Sequence, residues 1–279
     1  MKFVVVVFLT LASAVSACAL DRNAFAFINY NLSVQLEPEQ HRLSASGRIT
    51  LRNDSSVAEK NAALQISSTL TWRSIQANGK PLQFVSQPYE SDIDHTGELS
   101  EAIVTLPKEV GPKGEVDLDV RYEGIIPLDA TRLTRIGTPK EVAVHTDWDQ
   151  ISTVFVGVRG IGYVTWYPVS TEAASLSDGD TVFETIGGWK AREHGSHMTL
   201  TVTSTADGKL FATGSMGTAK TASNDGTKSA VSATVADLSQ SVPTIVSGDY
   251  FELAASKQSS ICYTKGYEPE AKLYADALG

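Results

Sequence analysis

The chain has 279 residues, 42% of them hydrophobic and 20% charged, which is enough apolar material for one large domain or two small ones and argues against disorder as the main state. Its formal net charge of −9, from 23 basic and 32 acidic side chains, argues against a phosphate-tracking surface and leaves no expectation of a nucleic-acid partner. Two cysteines and five histidines rule out a disulfide scaffold and confine any metal site to a few residues.

Lys2 precedes an apolar run that begins at Phe3 and ends in the small residues Ser13, Ala14, Val15, Ser16 and Ala17, the pattern of a signal peptide over residues 1–17. An exported product is expected: periplasmic, outer-membrane-anchored or secreted. Nothing later contains the 18 or so consecutive apolar residues of a membrane helix. Three fates are open to Cys18: lipidation, because Val15-Ser16-Ala17-Cys18 also resembles a bacterial lipobox; a disulfide with Cys262; or removal with the peptide. A lipid on Cys18 is the one expected route to a membrane.

From Tyr30 the chain alternates, with Tyr30, Leu32, Val34 and Leu36 on one face and Asn31, Ser33 and Gln35 on the other, as a half-buried strand does. After a turn at Pro38, residues Leu43 to Leu51 alternate in the same way and pair with it. Ala63–Ile66 and Leu70–Ala77 are two further strands, the second closed by Asn78-Gly79, the favoured two-residue hairpin turn. Ala102–Leu106 and Val116–Tyr122 follow, the latter with Glu115, Asp117, Asp119 and Arg121 as its solvated face. Strands are also expected at 154–158, 163–169, 198–202, 210–213, 230–235 and 250–254, with Gly217 to Lys228 as a polar loop. Short strands at this spacing predict an all-β class, a large antiparallel sandwich or saddle. No helix is expected before the end, where Pro269 at a helix start, Glu268 and Glu270 beside it, and Ala271, Tyr274, Ala275 and Leu278 on one stripe predict a short C-terminal helix. Such a stripe needs a partner.

The chemistry-bearing patterns are sparse. His194 and His197 lack the Glu and the helix of a His-Glu-x-x-His zinc motif, so a surface turn is expected there. His145, Asp147 and Asp149 would share one side of an extended strand, but a polar loop over a packed Trp148 is the expectation. No Gly-x-Ser-x-Gly elbow occurs, and Cys262 occupies a strand position where a small buried residue is expected. Gly157, Gly160 and Gly162 precede no helix pattern and so make no phosphate loop. No catalytic, cofactor-binding or metal-ligating residue emerges. Tyr163, Trp166 and Tyr167 remain as a candidate aromatic binding surface, weighed against a place in the core.

The order of the pieces Phe27–Leu36, Leu43–Leu51, Ala102–Pro107 and Val116–Gly124, followed by Gly162–Pro168, Thr199–Thr203 and Val246–Tyr250, resembles the N-terminal β domain of M1-type zinc aminopeptidases of a divergent bacterial kind. The likeness runs over residues 27–262 and consists of strand patterns. The resemblance implies a saddle-like, non-catalytic domain over 18–255 that packs on and shapes access to a zinc peptidase domain, with 256–279 as the opening of that second domain. The family's Gly-x-Met-Glu-Asn and His-Glu-x-x-His motifs do not occur here, so no zinc ligand is carried over. The resemblance implies zinc in the catalytic domain and none in this chain, with the missing peptidase domain or a peptide substrate as partner. The other expectation, of a different class, is a self-standing cell-surface module that binds peptide or glycan.

Overall fold

The computed structural model describes residues 20–214, 219–220, 226–257 and 259–278; the expected signal peptide, Cys18 and most of the polar loop after Gly217 lie outside them. Alternation translates directly into strands. β1 (Phe25–Glu37) passes through one 3-10 turn at Pro38–Gln40 into β2 (Arg42–Asn53), followed by β3 (Glu59–Ser67), β4 (Leu70–Ala77) and the two-residue β5 (Lys80–Pro81). Asn78 and Gly79 have φ of 52° and 71°, the left-handed pair that a type I′ hairpin turn requires, and Ala77 pairs with Lys80 across them. β6 (Phe84–Glu90), β7 (Glu98–Val110) and β8 (Glu115–Ile125) complete the first half.

Two short helices, α1 (Thr131–Arg135) and α2 (Lys140–Thr146), lead into β9 (Gln150–Ile151) and β10 (Phe155–Val158). A longer helix, α3 (Thr181–Arg192), precedes β11 (His197–Ser204), β12 (Lys209–Ala212), β13 (Ala219–Lys220), β14 (Ser229–Val235) and β15 (Ile245–Gly248). The chain then forms β16 (Phe251–Ala254), β17 (Ser260–Tyr263) and α4 (Glu268–Leu278). The all-β class and the short C-terminal helix are as expected, but the expectation that no earlier helix occurs is corrected by α1, α2 and α3. α3 turns Val182, Ile186 and Trp189 towards the core, a stripe at i, i+4 and i+7 that Gly187 and Gly188 interrupt with helix-weakening residues.

Eight strands form one sheet in the order β13-β14-β11-β1-β2-β8-β4-β5, with a four-stranded sheet β12-β15-β10-β9, a three-stranded sheet β3-β7-β6 and the hairpin β16-β17 beside it. Pairing is antiparallel except between β1 and β11, which run parallel. One continuous core joins the three larger sheets: Leu32, Ile49 and Tyr122 from the large one, Leu64 and Val104 from the three-stranded one, and Val156, Leu210 and Ile245 from the four-stranded one. The opposite face of the large sheet is open to solvent and carries Asn31, Ser33, Gln35, Arg48 and Arg121. No residue of β16, β17 or α4 belongs to that core. The expected boundary between residues 255 and 256 falls in the turn of the β16-β17 hairpin.

Candidate functional site

The segment that alternation assigns to a strand at 163–169 makes only two isolated bridges, Gly160 with Val164 and Gln65 with Val169. Gly162 sits at φ +94°, a conformation that breaks an extended run, and the Trp166 N–H donates back to the Val164 carbonyl. Every residue from Val164 to Ser170 is buried. The candidate aromatic surface is therefore corrected at two of its three residues. Trp166 and Tyr167 are 0% exposed, packed edge to face with ring centroids 4.9 Å apart, and they offer no face to a ligand. The Trp166 indole N–H donates to the Pro243 carbonyl (3.1 Å), and the Tyr30 hydroxyl donates to the Pro168 carbonyl (2.8 Å). Core membership satisfies the polar handles of Trp166 and Tyr30. Tyr163 alone keeps partial exposure, and the Arg159 guanidinium covers its ring at 3.5 Å.

His145, Asp147 and Asp149 are not brought onto one strand face, because α2 takes residues 140–146. Asp147 is fully buried and accepts two bonds from Arg132 (2.7 and 2.8 Å); Asp149, also buried, accepts from Arg159 (2.6 and 2.9 Å). Both carboxylates are committed to guanidinium partners. His194 faces Asp237 at 3.2 Å, while His197 is exposed on β11. Cys262 lies in β17 as expected but is exposed, at the wall of an open hollow shared with Tyr250 and α4; Cys18, its candidate partner, lies outside the described residues. Among the described residues no group of three or more His, Cys, Asp or Glu could hold a metal ion. These residues do not fit a zinc site.

The buried polar groups that matter most escaped the sequence reading. Glu101 would be driven up by burial, but hydrogen bonds from Arg22, Gln65 and Gln87 outweigh that and hold it below the ordinary range. Asp94 accepts from the Ser67 and Thr96 hydroxyls and from the Thr165 amide. Glu193, just beyond α3, accepts the Phe27 amide on both oxygens (3.0 and 3.2 Å) and the Ser196 hydroxyl, and burial pushes its pKa up to about 8. Phe27 and Glu193 are 166 residues apart, so no local pattern announces them.

An exposed apolar surface lies at the C-terminal helix. Ala271 and Ala275 are buried, the face by which α4 meets the β16-β17 hairpin. Tyr267, Leu273, Tyr274 and Leu278 remain 57–71% exposed. A hollow of about 440 Å³ lies between helix and hairpin, walled by Tyr250, Ile261, Tyr263, Tyr267 and Tyr274. The expected stripe is thus divided, its small members packed and its large ones open. Leu273→Ser and Tyr274→Ser are expected to change the stability of the protein by no more than about 0.5 kcal/mol in urea denaturation, as surface substitutions do.

No family model and no curated protein matches the chain. Solved structures do. A mutant of the M1 zinc metallopeptidase from Deinococcus radiodurans, bound to a Tyr-Ser-Ala substrate, is similar at 14% identity and a TM-score of 0.54 over 90% of this chain and 52% of its own. The chain shares its fold with M1 zinc metallopeptidases. A mutant two-domain M1 zinc metallopeptidase bound to L-tryptophan is similar at 15% identity and a TM-score of 0.50, over 87% of this chain and 49% of that one. Leukotriene A4 hydrolase from Saccharomyces cerevisiae is similar at 11% identity and a TM-score of 0.52, over 92% and 35%. The chain spans about half or less of the length of these M1 and leukotriene A4 hydrolase structures.

Proposed function

We propose that the chain is the non-catalytic N-terminal β domain of an exported M1-like zinc metallopeptidase. In this reading it packs against the catalytic domain and shapes peptide access, while the zinc and the catalytic groups belong to that second domain. The observation that carries the reading is the coverage: 87% of this chain corresponds to 49% of a two-domain M1 structure. The open apolar face of α4, with Leu273 and Tyr274 71% and 67% exposed, supports it, because a large exposed apolar patch is the ordinary mark of a docking surface. Export rests on the signal pattern of residues 1–17, with Cys18 as the candidate lipid anchor.

Two measurements test the reading. The purified 279-residue protein, incubated with zinc and aminoacyl reporter substrates, is expected to show no chelator-sensitive turnover; such turnover would overturn the assignment. An antibody raised against the β domain is expected to detect a native product much larger than the 29.9 kDa of this chain. A native product of that smaller size would favour the self-standing binding module instead. No feature of the fold favours that module through its aromatic residues, since Trp166 and Tyr167 are interior.

A further inference from the structure

The solvent face of the eight-stranded sheet is polar and carries two hollows, and its charges are nearly all matched. Arg48 is paired bidentately with Asp119 (2.9 and 3.2 Å), Arg42 and Arg73 both reach Glu123, and Arg52 holds Asp54. Arg121 stands between Asp119 and Glu123 on β8, exposed, and among the described residues its guanidinium has neither a hydrogen bond nor an ion pair. Its neighbours across the sheet are all small: register places Ser46 and Ser74 on either side of it, then Ser33 and Thr201 in the same transverse row. Serine is a poor strand former compared with the β-branched residues that usually cover a sheet. Three of them around one arginine cost local preference and leave room. That room is two adjoining hollows of about 580 and 420 Å³, which share Ser33, Ser46 and Arg121 as their common wall. Asn31 and Gln76 border the first hollow, and Gln35 and Thr203 the second.

From this geometry we infer that this face binds a carboxylate carried on a polyhydroxylated skeleton, a ligand of the sugar-acid class, with Arg121 receiving the carboxylate. A guanidinium fork takes a planar carboxylate through two parallel hydrogen bonds, and the flanking hydroxyls and amides can both give and accept bonds with a sugar's hydroxyls. One unmatched cation selects a single anionic group. Asp117, Asp119 and Glu123 on the same strand repel a polyanion, in keeping with the net charge of −9. No aromatic side chain lines either hollow, so orientation rests on the polar contacts and affinity falls with added salt.

The test is a titration of the whole protein followed by amide chemical shifts, with D-glucuronate, D-glucose and acetate as probes. Glucuronate is expected to saturate and to shift amides of β1, β2 and β8 around Ser33, Ser46 and Arg121, with glucose and acetate each binding at least tenfold more weakly. Arg121→Gln is expected to weaken glucuronate at least tenfold. Ser46→Val, which fills the trough without altering charge, is expected to weaken it as well. Both residues lie on the solvent face, and an unchanged thermal midpoint for each variant would separate lost binding from lost fold. The inference is overturned if glucuronate shifts no amides on this face, if acetate binds as tightly as glucuronate, or if Arg121→Gln binds glucuronate like the parent. None of these outcomes bears on the peptidase reading, which is decided by turnover and native size.

Discussion

Between pH 4.5 and pH 8 Glu193 alone is expected to withdraw stability on the order of 4 kcal/mol, and a Glu193→Gln variant is expected to lose none of that share. Glu193 is fully buried, and burial is the largest influence on it, pushing its pKa from 4.5 to about 8 against the opposing pull of the Phe27 amide, Arg192, Ser196 and Arg52. In the unfolded chain the same carboxyl ionises near 4.5. Below that pH both states are protonated and the group imposes no penalty. Through the window from 4.5 to 8 the folded state holds a proton that the unfolded state has released, so stability falls with rising pH by about 1.4 kcal/mol per pH unit. Above 8 both are ionised and the slope vanishes. The sign is opposite to that of Asp54, whose pKa is lowered to about 2 by Arg52 and Lys113 and whose contribution is lost only in acid. Glutamine mimics the protonated acid: its amide oxygen can still accept from Phe27 and its amide nitrogen can donate towards Ser196. Urea denaturation of parent and variant at half-unit pH intervals makes the comparison, and parallel curves would refute the assignment. Other titrating groups cancel in the difference.

How much of this was legible in the sequence depends on what each feature needs. β1, β2 and β8 were readable because each has one wet face and one dry face, so a period of two is written into the residues themselves; Asn78-Gly79 was readable because turn chemistry is local. α1 and α2 have only five and seven residues, too few for a helical period to declare itself. α3 contains Gly187 and Gly188 in its middle, a pair that lowers helix preference by about 1 kcal/mol per residue; it persists because Trp189 anchors it in the core. The Val164–Val169 stretch is illegible for the reverse reason: wholly buried residues have no polar face, so their spacing carries no information about backbone shape. The site-level features were less legible still. The Arg22–Glu101 and Phe27–Glu193 contacts join residues 79 and 166 positions apart, and single letters do not reveal their partners. The likeness to M1 zinc metallopeptidases rests on the order of strand patterns, and a structure of that kind shares the fold at 14% identity.

Removing Arg132 is expected to cost about 3–5 kcal/mol, whereas removing it together with Asp147 costs much less. Arg132 is 5% exposed and Asp147 is fully buried. The guanidinium gives Nε and Nη2 to the two Asp147 oxygens at 2.8 and 2.7 Å, and Nη1 to the Asp92 carbonyl at 2.6 Å. One side chain thereby ties α1 to the end of α2 and to the loop before β7. In Arg132→Met the Asp147 carboxylate stays buried with its charge unmatched, and that orphaned charge sets the penalty of about 3–5 kcal/mol. Asp147→Leu orphans the guanidinium in the same way. Arg132→Met with Asp147→Leu removes both charges and refills the volume, so the double variant is expected within about 1–2 kcal/mol of the parent, the remainder being the lost bond to the Asp92 carbonyl. A double-mutant cycle in urea measures this directly, because the two single losses should greatly exceed the loss in the pair. Additive losses would mean that water reaches the site and screens the two charges independently. The burial of both side chains argues against that, and it makes this ion pair a lock on the α1–α2 segment: costly to break from one side, cheap to replace as a unit.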